Sequence, residues 1–122
     1  MLIPIMSSAD TQNQAKEAVL KFISALNSED FDTARSLVTD DLTFIGVMGT
    51  RHGAEAYFKD MKQMKFKYDI KKVFADDTDV CLFYDINMSG TTIFASGWYR
   101  LQHGLIHTFN VLFDPRPLLE KK

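Results

Sequence analysis

Cysteine is almost missing from this sequence. The single Cys81 stands in an apolar run, so no disulfide can close within the chain, and a small buried thiol is its ordinary role. Proline occurs three times and tryptophan once. Basic residues number 14 against 16 acidic ones and are spread along the chain, which excludes the electrostatic footprint of a nucleic-acid binder or an anionic-membrane binder. No apolar run approaches the length of a membrane span. The opening MLIPIM is apolar, but it is short, holds a proline and lacks both a basic lead-in and a small-residue cleavage site. It reads as an arm, residues 1–10, packing on the body or on a neighbour, and the expected compartment is the cytoplasm. A serine-nucleophile elbow, a phosphate-binding glycine loop and a dinucleotide fingerprint are all lacking. The three histidines have neither helical spacing nor carboxylate company, so neither a metal nor a cofactor is expected.

What is present suits one small domain. The chain has 122 residues and 46% hydrophobic content, enough to bury a core without staples. Residues 11–116 are expected to form that domain, with a tail at 117–122. Ala15, Ala18, Val19, Phe22, Ile23 and Leu26 recur at helical spacing, and Thr11 with Gln14 makes a capping box. A second helix follows at once. Ser28 would cap it, Glu29 and Asp30 suit the positive end of its dipole, and Phe31, Ala34, Leu37 and Val38 share a face. The period then changes to two at Leu42, Phe44 and Gly46 before a glycine-containing loop, where His52 beside Arg51 is a loop or cap residue. Helical spacing returns through Ala54, Tyr57, Phe58, Met61 and Met64.

Beyond Lys65 the pattern is strand after strand. Phe66, Tyr68 and Ile70 alternate with charged residues, but the next apolar residue is Val73, and this slip of one predicts a bulge at Lys71 and Lys72. Asp76, Asp77 and Asp79 lack the glycine and the distant glutamate of a calcium loop, so they read as a hairpin turn. Further turns fall at Ser89 with Gly90 and at His103 with Gly104. Helices followed by an antiparallel meander make an α+β fold, with helices on one face of a curved sheet.

The stretches FISALNSEDFDTARSLVTDDLTF, HGAEAYFKDM and GWYRLQHGLIHTFNVLFDP resemble the nuclear transport factor 2-like (NTF2-like) superfamily, in the branch of the SnoaL-like polyketide cyclases and ketosteroid isomerases. The resemblance implies a cystatin-like cone: an antiparallel sheet whose concave face, covered by three N-terminal helices, encloses an apolar pocket. It places Ile93, Ala95, Gly97, Tyr99 and Leu101 inside, then His107, Phe109, Val111 and Phe113. A two-residue turn at Ser89 and Gly90 pairs Ile86 with Ile93 and adds Leu82 and Tyr84. A turn longer by one residue would exchange the two faces and bring Asp85 and Asn87 inside.

The ketosteroid isomerases use a phenol, a carboxylate base and a protonated acid at positions that correspond to Phe22, to Phe44 or Ile45, and to Gly97. None of these can do that chemistry. His107 is then the one inward acid/base candidate, with Tyr84 or Tyr99 to orient it, against the plainer role of a histidine bonded to a carbonyl or a tyrosine. The expected pocket is Phe22, Phe44, Tyr57, Phe58, Tyr84, Tyr99, His107, Phe109 and Val111, open to a small hydrophobic or aromatic molecule. Phe83, Phe94, Trp98, Arg100 and Asn110, facing outward, have the composition of a protein interface, and the resemblance implies a homodimer through them. Three functions remain open: a small-molecule-binding domain, a SnoaL-like enzyme using His107, and a homodimeric assembly module without a ligand.

Overall fold

The apolar stripe from Ala15 to Leu26 forms the buried face of helix α1 (Ser8–Asn27). The computed structural model describes residues 8–119, so residues 1–7 of the expected arm and the last three residues of the tail lie outside the described residues, while Ser8 to Asp10 of that arm belong to α1. Because α1 starts at Ser8, Thr11 sits inside it and is not its cap. The helix ends where Glu29 turns left-handed, letting the Asp30 amide donate to the Ala25 carbonyl at 2.8 Å.

Asp30 in turn caps α2 (Phe31–Ser36), its carboxylate accepting from the Thr33 amide at 3.2 Å and the Thr33 hydroxyl at 2.7 Å. The cap is thus Asp30 and not Ser28, since two residues are used to reverse the chain after α1. Val38 leaves the helix and opens strand β1 (Val38–Gly46). A tight turn at Val47 and Met48 leads to β2 (Gly49–His52), so His52 pairs with Thr43 at the end of a short strand and does not sit in a loop. Gly53, at φ 92°, allows an abrupt entry into α3 (Ala54–Met64).

Four strands follow: β3 (Lys67–Asp76), β4 (Asp79–Met88), β5 (Thr91–Gln102) and β6 (Leu105–Phe113), then the short α4 (Arg116–Leu119). The sheet runs β2-β1-β6-β5-β4-β3. It is mixed, because β1 lies parallel to β6 while every other pair is antiparallel. The β4–β5 turn at Ser89 and Gly90 has both residues at positive φ, the twist that suits a two-residue hairpin, and it sets Ile86 opposite Ile93. Val80, Leu82, Tyr84 and Ile86 are therefore buried with Ile93, Ala95 and Tyr99, while Asp85 and Asn87 lie on the other face. The bulge at Lys71 is present, and Val73 returns to the buried side beyond it.

Another bulge decides the fate of the histidine. Arg100 pairs with Thr108 but Leu101 pairs with Ile106, so His107 is the extra residue on β6. Ile106 takes the buried place, fully covered, and His107 is left partly exposed. Helix α1 lies against β3, β4 and β6, and α3 against β1 and β2. Among the described residues no helix is long and apolar enough to cross a membrane.

Candidate functional site

Between α3, the β1–β2 turn and the end of the sheet lies a cavity of about 390 Å³. Its inner wall is Phe44, Tyr57, Tyr68, Ile86, Phe109 and Val111, and its rim carries Val47, Met48 and Met64, all exposed, with Leu118 of α4 alongside. Polar groups on the lining include Arg51 and Asp60, joined by a 2.7 Å ion pair, and Gln63. An apolar wall with few polar groups at its edge is the make-up of a ligand pocket.

Four of the expected pocket residues line this cavity: Phe44, Tyr57, Phe109 and Val111. Four others, Phe22, Phe58, Tyr84 and Tyr99, lie deeper, where side chains fill the space. Phe22 meets Tyr57, Phe58 and Tyr99 at centroid distances of 6.4 Å and Phe109 at 6.0 Å. The expected inward aim of His107 is overturned by the β6 bulge. Its Nε2 lies 3.7 Å from the Asp41 carboxylate and its Nδ1 lies 3.0 Å from the Thr108 hydroxyl, and it does not line the cavity.

All four tyrosines of the chain meet inside the fold. Tyr84 and Tyr99 bond hydroxyl to hydroxyl at 2.8 Å, and the Tyr68 ring packs on Tyr84 with centroids 5.2 Å apart. Burial, before any other influence, pushes all four phenols above their ordinary range. Gly97 makes room for them: a Cβ there would lie 2.3 Å from the Tyr84 oxygen. Two phenols, Tyr84 and Tyr99, therefore stand side by side over Gly97.

Tyr68, Arg51 and Asp60 were not among the expected pocket residues. Tyr68 was legible as an inward residue by alternation, but its place on the cavity wall beside Tyr57 depends on how α3 crosses the sheet. Asn27 at the end of α1 fixes it, donating to the Tyr68 carbonyl at 2.9 Å and accepting from the Tyr68 amide at 2.7 Å. Among the described residues no cluster of histidine, cysteine and carboxylates could hold a metal ion.

On the opposite face of the sheet the Phe83 and Phe94 rings stack at 6.1 Å, and Phe74 meets Phe83 at 6.2 Å. Arg100 lies 4.1 Å over the Trp98 ring and donates to Asn110 at 2.6 Å. Phe94 is 60% exposed and Leu112 67%. The expected interface residues therefore share one face, in two groups, Phe83 with Phe94 and Trp98 with Arg100 and Asn110.

The model of the SnoaL-like domain matches residues 19–109. An NTF2-like protein of unknown function from Cytophaga hutchinsonii is 47% identical, over 97% of this chain and 99% of that one, with a TM-score of 0.83. An LEH-like epoxide hydrolase of M. tuberculosis shares the fold at 23% identity and a TM-score of 0.79, with 89% of each chain covered. Bal32a, from a soil-derived mobile gene cassette, does so at 18% identity, over 84% of this chain and 91% of that one, with a TM-score of 0.79. No curated protein matches.

Proposed function

Since the chain belongs to the SnoaL-like domain family of the NTF2-like superfamily, we propose that it is a small-molecule-binding protein whose cavity takes an apolar or aromatic ligand. The observation that carries this reading is that the inner face is not filled to its end. Beyond Phe44 and Phe109 about 390 Å³ stays open behind a rim of exposed Val47, Met48 and Met64. A domain that served assembly alone would gain by closing that volume, because cavity lining forfeits dispersion contacts. Methionines at the rim suit a greasy ligand of irregular outline. His107 has no part in this site.

The test is a thermal-shift screen against steroids, polyketide-like aromatics and fatty acids. A ligand that binds only the folded state must raise the midpoint by mass action. One chemical class is expected to do so, and Val111→Trp, which fills the cavity, should abolish the shift. Silence across the panel would overturn the reading.

The outer face supports a second statement, that two copies pair through Phe83, Phe94, Trp98, Arg100 and Asn110. Exposed aromatics with an arginine stacked among them are the residues that carry binding energy at protein interfaces. Trp98→Glu is expected to convert a dimer to a monomer in sedimentation velocity, and a monomeric wild type would refute the pairing.

A further inference from the structure

Among the described residues methionine is spent in one place. The chain has six methionines, and the four that the structure describes, Met48, Met61, Met64 and Met88, all line the cavity. They arrive from three elements: the β1–β2 turn, α3 and the end of β4. Burial divides them into two pairs. Met61 and Met88 are buried, whereas Met48 is 66% exposed and Met64 42%. None of the five outer-face residues proposed to pair two copies is among the cavity lining.

A thioether sulfur attacks a hydroperoxide with its lone pair. An S–O bond forms, the O–O bond breaks, and water or an alcohol leaves, so sulfur is oxidised by two electrons and the peroxide is reduced. The oxidant must reach the sulfur. The rim pair therefore reacts first, and the buried pair waits on local opening of the fold.

The product changes the rim more than the fold. An exposed sulfoxide stays hydrated while the cavity is empty, so the free protein loses little stability. An apolar ligand covering the rim strips that water and gives the sulfoxide oxygen no donor in return. Oxidation at Met48 and Met64 thus acts on binding and spares folding.

We propose that Met48 and Met64 form a modification site: a hydroperoxide converts their thioethers to sulfoxides, and the sulfoxides close the cavity to apolar ligands. This rests on the cavity being a ligand site. Repair of the sulfoxides by a reductase reopens it.

The experiment treats the purified protein with hydrogen peroxide and takes two readings. Peptide mass spectrometry follows each methionine, and titration with N-phenyl-1-naphthylamine, a neutral apolar fluorophore, follows the cavity. Met48 and Met64 are expected to be oxidised at least about tenfold faster than Met61 and Met88. With only the rim pair oxidised, the probe should bind roughly five- to fiftyfold more weakly at an unchanged melting midpoint, and methionine sulfoxide reductase should restore its affinity. In the double variant Met48→Leu/Met64→Leu, which keeps Met1 and Met6, probe affinity should be the same before and after peroxide. Equal oxidation of all four, unaltered affinity with the rim pair oxidised, or a loss that persists in the double variant would overturn the inference and leave the pocket reading intact. Should that variant not fold, the reductase decides: recovered affinity supports the inference and unrecovered affinity refutes it. A probe that fails to bind the untreated protein, or binds equally after Val111→Trp, would overturn the pocket reading and the inference with it.

Discussion

Beneath α1 the inner face of the sheet is filled by rigid rings, with Phe22 against four aromatic neighbours and Tyr99 stacked on Phe109 at 4.8 Å. Under α3 and the β1–β2 turn the same face opens, and Val47, Met48 and Met64 stand exposed around a cavity. Both ends follow from one alternation along β4, β5 and β6, so the strand pattern does not separate them. The difference lies in what covers the sheet and in side-chain stiffness. Aromatic rings with two torsions lock against one another, while methionines with three torsions adapt to what arrives. One face is therefore packed as core at one end and left open at the other.

The contrast breaks most visibly at the closed end. Phe22→Ala removes the ring on which Tyr57, Phe58, Tyr99 and Phe109 converge, and it is expected to cost about 3–5 kcal/mol in urea unfolding. A loss under about 1 kcal/mol would mean that this end is no more tightly packed than the other.

A second way to sharpen it uses pH. The phenols titrate near 10 when unfolded, and burial raises them in the native state. Above that pH the unfolded chain releases protons that the native chain keeps. The stabilisation is whole below pH 10 and declines as pH rises further, by up to about 1.4 kcal/mol per pH unit for each tyrosine. Urea midpoints from about pH 9 to 11 should fall less steeply in Tyr84→Phe than in the wild type. Equal slopes would refute the account.

The smallest expected effect belongs to the open end. Met48→Ala should leave stability within about 0.5 kcal/mol, because Met48 is exposed, while weakening the binding of whichever ligand class the thermal screen identifies. A clear loss of stability would show that the rim is part of the core.

Much of this was legible in the sequence, though not evenly. The β4–β5 register followed from strict alternation and a two-residue turn, since a single-residue error would have moved Asp85 and Asn87 into the core. The bulge on β3 was readable because Lys71 and Lys72 stand side by side between apolar positions. On β6 the same device went unread. Leu105 and Ile106 are both apolar, so the pattern tolerates either phase and the extra residue can be His107 without a visible slip. The expected pocket mixed residues of both ends because alternation says which side of a sheet a residue faces, and nothing about what covers it. Tyr68 was missed as a site residue because Asn27, which fixes its backbone, comes from a helix 41 residues away in the chain.

The two edges of the sheet carry a further consequence. β3, at one edge, presents Lys67, Asp69, Lys71, Lys72 and Asp76 outward with Phe74 among them, and β2, at the other, is four exposed residues long. Ionic side chains on one border and a stub on the other both discourage the addition of a foreign strand. The exposed aromatics of the outer face therefore do not sit on a template for filament growth. Growth of the sheet by strand addition at either border is thus discouraged by the edges themselves.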